Sequence, residues 1–221
     1  MLIVFLPLLA AAFVVVAIAT GLWVALWPAV VLVATTVVYA LRLPGAFLKR
    51  SDGTLPWFSW LVWGPLFAYQ WVVLEGGRRL MGEAISTEVG PGVYVARRPR
   101  LADLPPNIAI VVDLCAEFPA APGIADGRVY LTLPTLDATA PTPEQIVTAV
   151  DAVIAANGPA FIHCAHGHGR SATVAAAVLI RRGQATLDDV EAKMKALRPR
   201  IGLNAGQRAA LAKAIELGSR S

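Results

Sequence analysis

The chain begins with a long apolar stretch, and only its second half alternates short apolar runs with amphipathic ones. No charged side chain occurs from Met1 to Ala40. A single straight helix over that stretch, at about 1.5 Å per residue, would be twice as long as the hydrocarbon core of a bilayer, about 30 Å thick. Two spans are therefore expected, Leu2 to Thr20 and Leu22 to Leu41, with Gly21 at the turn of a transmembrane helical hairpin (residues 1–42). Pro7 and Pro28 are compatible with this, because membrane helices accept proline more readily than soluble ones. A cleaved leader fits less well, since the first residues carry no Lys or Arg and the apolar run outlasts a signal segment.

A further apolar stretch, Leu55 to Leu74, has no charge but contains Pro56, Gly64, Pro65, Gln70 and four tryptophans, Trp57, Trp60, Trp63 and Trp71. Tryptophan favours the membrane interface. With two spans every Lys and Arg lies on one side, whereas a third span would separate Arg42, Lys49 and Arg50 from Arg78 and Arg79. Residues 43–84 are thus expected to hold an interfacial or re-entrant segment, with a third span as the alternative, and a linker. The Gly-rich polar stretch 75–90 reads as the connection to the next domain.

From residue 85 to residue 221 the pattern is that of an α/β domain with a mostly parallel central sheet flanked by helices. Strands are expected at Val93–Ala96, Ile108–Leu114, Val129–Leu133 and Ala160–His163. Helices are expected near Pro143–Ala156, Arg170–Arg182, Leu187–Leu197 and Ala205–Leu217. Thr142-Pro143-Glu144-Gln145 and Thr186-Leu187-Asp188-Asp189 are helix-start signals, the first with proline at the first helical position. The stretch is long enough to bury one core.

Composition adds that 57% of residues are hydrophobic and 15% charged, with mean hydropathy +0.61, too apolar for a wholly soluble chain. The net charge of +4 is not concentrated in a way that signals nucleic acid, and no nucleic-acid partner is expected. Two arginine groups, Arg97, Arg98 and Arg100, then Arg198, Arg200 and Arg208, could face anionic headgroups or a phosphorylated substrate, or form a solvated basic surface.

The chemistry is concentrated in His163-Cys164-Ala165-His166-Gly167-His168-Gly169-Arg170-Ser171, between an apolar strand and an alanine-rich helix. A thiol at a helix N-terminus is favoured as thiolate. Gly167 and Gly169 let backbone N–H groups turn inward around an anion, with Ala165, His166 and His168 completing the loop. Arg170 offers a planar, permanently charged fork for two phosphate oxygens. Ser171 can donate a hydrogen bond to the sulfur and make Cys164 a better leaving group.

The pattern His-Cys-x5-Arg-Ser resembles the active-site signature of the cysteine-based protein tyrosine phosphatase superfamily, and residues 85–217 resemble its dual-specificity and lipid-phosphatase branches. The resemblance implies attack of Cys164 on phosphorus, protonation of the leaving oxygen by an aspartic acid from a separate loop, and hydrolysis of the phosphocysteine, with no cofactor. Asp137 is the expected acid, because it follows a short strand and lies in a Pro- and Thr-rich loop before a helix start; Asp126 in an Asp-Gly turn and Asp113 within a strand are the other candidates. The resemblance also places His163 behind the loop and Asn204 beside it, where Asn204 would brace it or simply cap the last helix with Gln207. It makes Cys115 a possible redox partner of Cys164, against an inert buried cysteine. All three histidines lie in the loop beside Cys164, yet four ligands on one tight turn cannot surround a metal ion, so no metal is expected. His166 and His168 stand where lipid-directed relatives often carry Lys or Arg, which weakens the case for a polyanionic substrate and suggests more activity at mildly acid pH.

The expected function is a membrane-anchored phosphatase acting on a phosphoprotein or a phospholipid monoester, its catalytic domain cytoplasmic, where a thiolate stays reduced. A pseudophosphatase that only binds phosphorylated partners is the alternative.

Overall fold

The computed structural model of the protein describes residues 2–80 and 82–219. They form two units, one from residues 1–49 and 55–81, the other from residues 50–54 and 82–221.

The first unit is helical. Helix α1 (Leu2–Thr20) stops at Gly21, whose φ of +72° is a conformation glycine adopts without steric cost. A 3-10 turn at Trp23–Ala25 leads into α2 (Leu26–Ala40), so α2 starts four residues later than the apolar pattern suggests. Pro28 falls in the first turn of α2, where its missing N–H would have had no helical partner. The hydroxyls of Thr20, Thr35 and Thr36 donate to the carbonyls four residues back, at 2.7, 2.7 and 2.9 Å, which satisfies them inside apolar helices. After a second 3-10 turn at Pro44–Phe47, α3 (Trp57–Leu80) runs unbroken across Pro65.

Two expectations are corrected here. A re-entrant segment would turn back, whereas residues 57–80 are one helix, and residues 75–80, expected in the linker, are its last turn and a half. Helix α1 packs on α2, and α2 on α3. Large apolar side chains nevertheless point outward on all three, among them Phe5, Leu8, Ile18, Val30, Trp57 and Val72. By length and composition, Trp23–Ala40 is the stretch among the described residues that can cross a membrane, and Phe5–Thr20 is a shorter apolar helix.

The second unit is α/β. Strands β1 (Ser86–Gly90), β2 (Val93–Arg97), β3 (Ile110–Cys115), β4 (Val129–Thr135) and β5 (Ala160–Cys164) form one sheet in the order β1-β2-β5-β3-β4. Only β1 is antiparallel to its neighbour, so the sheet is mixed. Four helices flank it: α4 (Pro143–Ala155), α5 (Arg170–Arg181), α6 (Val190–Leu197) and α7 (Ala205–Gly218). Strands β3 and β5 are buried on both faces, which is why each reads as a nearly continuous apolar run. On one face Val112, Leu114, Ile162 and Cys164 join Ile146, Val174, Val178, Met194 and Leu211. On the other, Val111 and Phe161 pack with Ala96 and Ile124.

Strand β1 lies where a linker was expected. It is a half-exposed edge strand with one buried residue, Val89, too short to show alternation. Helix α6 also begins three residues later than expected; the Thr186 N–H does bond to Asp189 Oδ1 at 2.8 Å, but residues 187–189 form a turn. The four parallel strands end on the same edge of the sheet, and the loops leaving that edge carry the chemistry.

Candidate active site

Strand β5 ends at Cys164 and α5 begins at Arg170, so residues 165–169 close a loop between a strand end and a helix N-terminus. Cys164 is buried. Its Sγ accepts the Gly167 N–H at 3.2 Å and lies 3.4 Å from Ser171 Oγ. Gly167 has φ +77°, and a Cβ there would come within 2.5–2.7 Å of the backbone at Ala96 and Arg97, so no side chain fits. At Gly169 a Cβ would meet the Gln207 side chain at 2.8 Å.

Arg170 is 2% exposed and heavily bonded. Its Nη1 and Nη2 grip Glu117 bidentately at 3.0 and 2.7 Å, Nη1 also donates to the Thr135 carbonyl at 2.7 Å, and Nη2 to Asp137 Oδ1 at 2.9 Å. Its Nε is buried with no acceptor among the described residues. Burial alone would lower its pKa, but Glu117, Asp137 and Cys164 around it outweigh that and hold the guanidinium charged. Glu117 is a partner that the sequence does not point to. A carboxylate four residues past Asp113 carries no local signal; only the approach of β3's end to α5 shows what it does.

The Asp137 side chain is 55% exposed, at the rim of the loop. The next residue, Ala138, has φ +58°, a left-handed conformation that a non-glycine residue holds only when its surroundings impose it. Two side chains at the start of α7 do so, its N-cap and one in its first turn: Asn204 Nδ2 donates to the Ala138 carbonyl and Gln207 Nε2 to the Thr139 carbonyl, each at 2.9 Å. Asn204 thus caps α7 in a capping box with Gln207 and braces the Asp137 loop, not the phosphate loop as expected. The phosphate loop is held instead by Arg198, which donates to the Gly167 and His166 carbonyls, and by the Gly202 N–H, which donates to His168. Arg97, Arg98 and Arg198 are buried, so the solvated basic surface is corrected for these three.

His163 is buried, with Nε2 3.7 Å from Asp113 Oδ2. Asp113 accepts from the Tyr130 hydroxyl at 2.6 Å and from the Cys115 N–H at 2.8 Å. Burial, and then the Asp113 carboxylate, push the Tyr130 phenol far up. Ligand atoms of Asp113, Cys115 and His163 lie within 4.8 Å of one another and are the metal-compatible cluster among the described residues. Cys115 therefore faces His163 and Asp113, while Cys164 packs with Leu114 and Ile162 on the opposite face, and both thiols are free.

His166 and His168 are half-buried, their rings stacked at 6.4 Å. Burial lowers both pKa values; Asp137 opposes this at His166 and Glu83 at His168. The extra activity expected at mildly acid pH is therefore displaced below the ordinary histidine value of about 6.5. Histidine-ring NMR on the folded protein is expected to show both titrating below that value; titration of either above it would refute the assignment. Below about pH 6.5 the unfolded chain takes up protons that the folded loop resists, so these two residues lower stability as pH falls.

The family model "Dual specificity phosphatase, catalytic domain" matches residues 106–216. Among solved structures, PTPMT1 in complex with PI(5)P is 21% identical, covering 62% of this chain and 98% of that one, with TM-score 0.53. The active form of Tk-PTP is 24% identical over 62% and 98%, with TM-score 0.51. A mouse putative dual specificity phosphatase complexed with zinc tungstate is 23% identical over 63% and 92%, with TM-score 0.50. At these identities the likeness is one of fold. No curated protein matches the chain.

Proposed function

The chain belongs to the dual-specificity phosphatase family and is a phosphoric monoester hydrolase of that type, and from this we propose that it works as a membrane-anchored enzyme through a phosphocysteine on Cys164. In the first step the Cys164 thiolate attacks phosphorus, the bond to the leaving oxygen breaks, and Asp137 gives that oxygen its proton. Arg170 and the loop N–H groups hold the equatorial oxygens, and the unpartnered Nε of Arg170 is a donor ready for one of them. In the second step Asp137 takes a proton from water, the hydroxide attacks phosphorus, and the S–P bond breaks with Ser171 Oγ beside the sulfur.

The observation that carries this reading is that one buried guanidinium, Arg170, joins the thiol loop to the Asp137 loop at 2.9 Å. Anchoring is supported by the apolar faces of α1, α2 and α3. A catalytic unit tethered to a bilayer meets lipid headgroups at high effective concentration, so the substrate class we favour is a phospholipid monoester. A phosphotyrosine or phosphoserine protein is the second reading, favoured by histidines, neutral at pH 7, at positions 166 and 168.

The test is phosphate release by detergent-purified full-length protein beside Cys164→Ser. One substrate is mixed micelles containing phosphatidylglycerophosphate, the other a phosphotyrosine peptide. Cysteine-dependent turnover of the lipid well above the peptide is expected. The reverse order would make the chain a tethered protein phosphatase, and no cysteine-dependent release from either would leave a module that binds phosphorylated partners.

A further inference from the structure

We infer that Glu83 is a positioning residue of the phosphate loop, acting through His168 and Arg198; the assignment rests on the phosphatase chemistry proposed for that loop. Glu83 stands three residues after α3 ends and three before β1 begins, outside the matched stretch 106–216. Its Oε2 lies 2.7 Å from His168 Nε2 and its Oε1 3.3 Å from Arg198 Nε. The three side chains are 13%, 23% and 1% exposed, so water screens the hydrogen bond to His168 and the ion pair with Arg198 little.

Peptide geometry gives this brace its consequence. In a trans peptide the C=O and the following N–H point in opposite directions. Arg198 Nη2 takes the His166 carbonyl at 3.4 Å, and the N–H at the other end of that peptide, on Gly167, points to Cys164 Sγ at 3.2 Å. Arg198 Nε takes the Gly167 carbonyl at 3.1 Å, which turns the His168 N–H inward in the same way. Each carbonyl held outward thus aims a donor at the sulfur or at the anion above it. Arg198 is in turn fixed by the Ala84 carbonyl at 2.9 Å and Thr87 Oγ1 at 3.2 Å, while the Ile85 carbonyl accepts the Arg97 N–H at 2.9 Å. The segment entering the catalytic unit is therefore fastened to the loop that binds phosphate, and Glu83 supplies the one carboxylate of residues 82–87.

Removing that charge without changing size loosens both contacts. In the full-length protein in detergent, Glu83→Gln is expected to weaken inhibition by orthovanadate, and to lower kcat/KM for para-nitrophenyl phosphate, each by about ten- to a hundredfold. The melting point should move by no more than about 2 °C, a shift this small meaning little lost stability, and Glu83→Asp should recover part of the loss. The His168 titration should fall further below the wild-type value, since the carboxylate that opposes burial is gone. Unchanged vanadate inhibition, an unmoved His168 titration, or a loss of activity that only tracks a loss of folded protein would each overturn the assignment. If the wild type itself releases no phosphate, the phosphatase reading falls, and the His168 titration still decides the role of Glu83.

Discussion

Cys164→Ser is expected to lower phosphate release by about 10⁴-fold or more, the scale seen when a covalent nucleophile is removed. The reason is chemical: a hydroxyl in the same place is a far weaker acid than a thiol, so it offers almost no anion to attack phosphorus. The surroundings do not change this. The Gly167 N–H and Ser171 Oγ would still meet an oxygen about where the sulfur stands, and the position is already buried, so the fold tolerates the exchange. Orthovanadate binding to the variant should therefore persist while turnover is lost. Release above about 1% of wild type would show that a group other than Cys164 attacks phosphorus, because a loss under a hundredfold, less than about 3 kcal/mol, is too small for removal of the nucleophile.

Arg170→Lys is expected to cost about 10³-fold in kcat/KM, although charge is conserved, because the lysine ammonium is a point donor and not a fork. The guanidinium here makes bonds in three directions, to Glu117, to the Thr135 carbonyl and to Asp137. An ammonium reaching the same place can keep one direction well. What remains is a buried Glu117 carboxylate without its bidentate partner, a situation that destabilises a protein by about 3 kcal/mol or more. A fall in melting point should accompany the loss of activity. Steady-state kinetics and thermal unfolding on the same preparation check both. A variant with near-wild-type kcat/KM would mean that phosphate is held by the loop amides alone.

Both variants change residues that can be recognised from the chain alone. The nucleophile, the glycines and the arginine were legible because they lie within a single stretch of seven residues, and the loop's backbone needs fix their order. Glu117 and Glu83 were not legible as partners of that loop. One lies 53 residues before Arg170 and the other 85 before His168, and no periodicity links positions that meet only across a sheet edge. Asn204 was half legible: its capping box with Gln207 is local and could be read from the chain, while its bond to Ala138 spans 66 residues and could not. Cys115 shows the same limit from the other side. Sequence places it at a strand end near the nucleophile, but strand alternation and the irregular β3–β4 register there decide that its sulfur faces Asp113 and His163.

By itself, the sequence determined the apolar front, the α/β alternation, the helix caps and the thiol-to-arginine loop, since each is set by neighbours within a few residues. Tertiary structure alone decided three things: that residues 86–90 form an edge strand, that α3 is continuous, and that two distant carboxylates hold Arg170 and the phosphate loop. The physical reason is that a buried charge must find its counter-charge wherever the fold brings one, and that choice depends on strand order and not on sequence spacing.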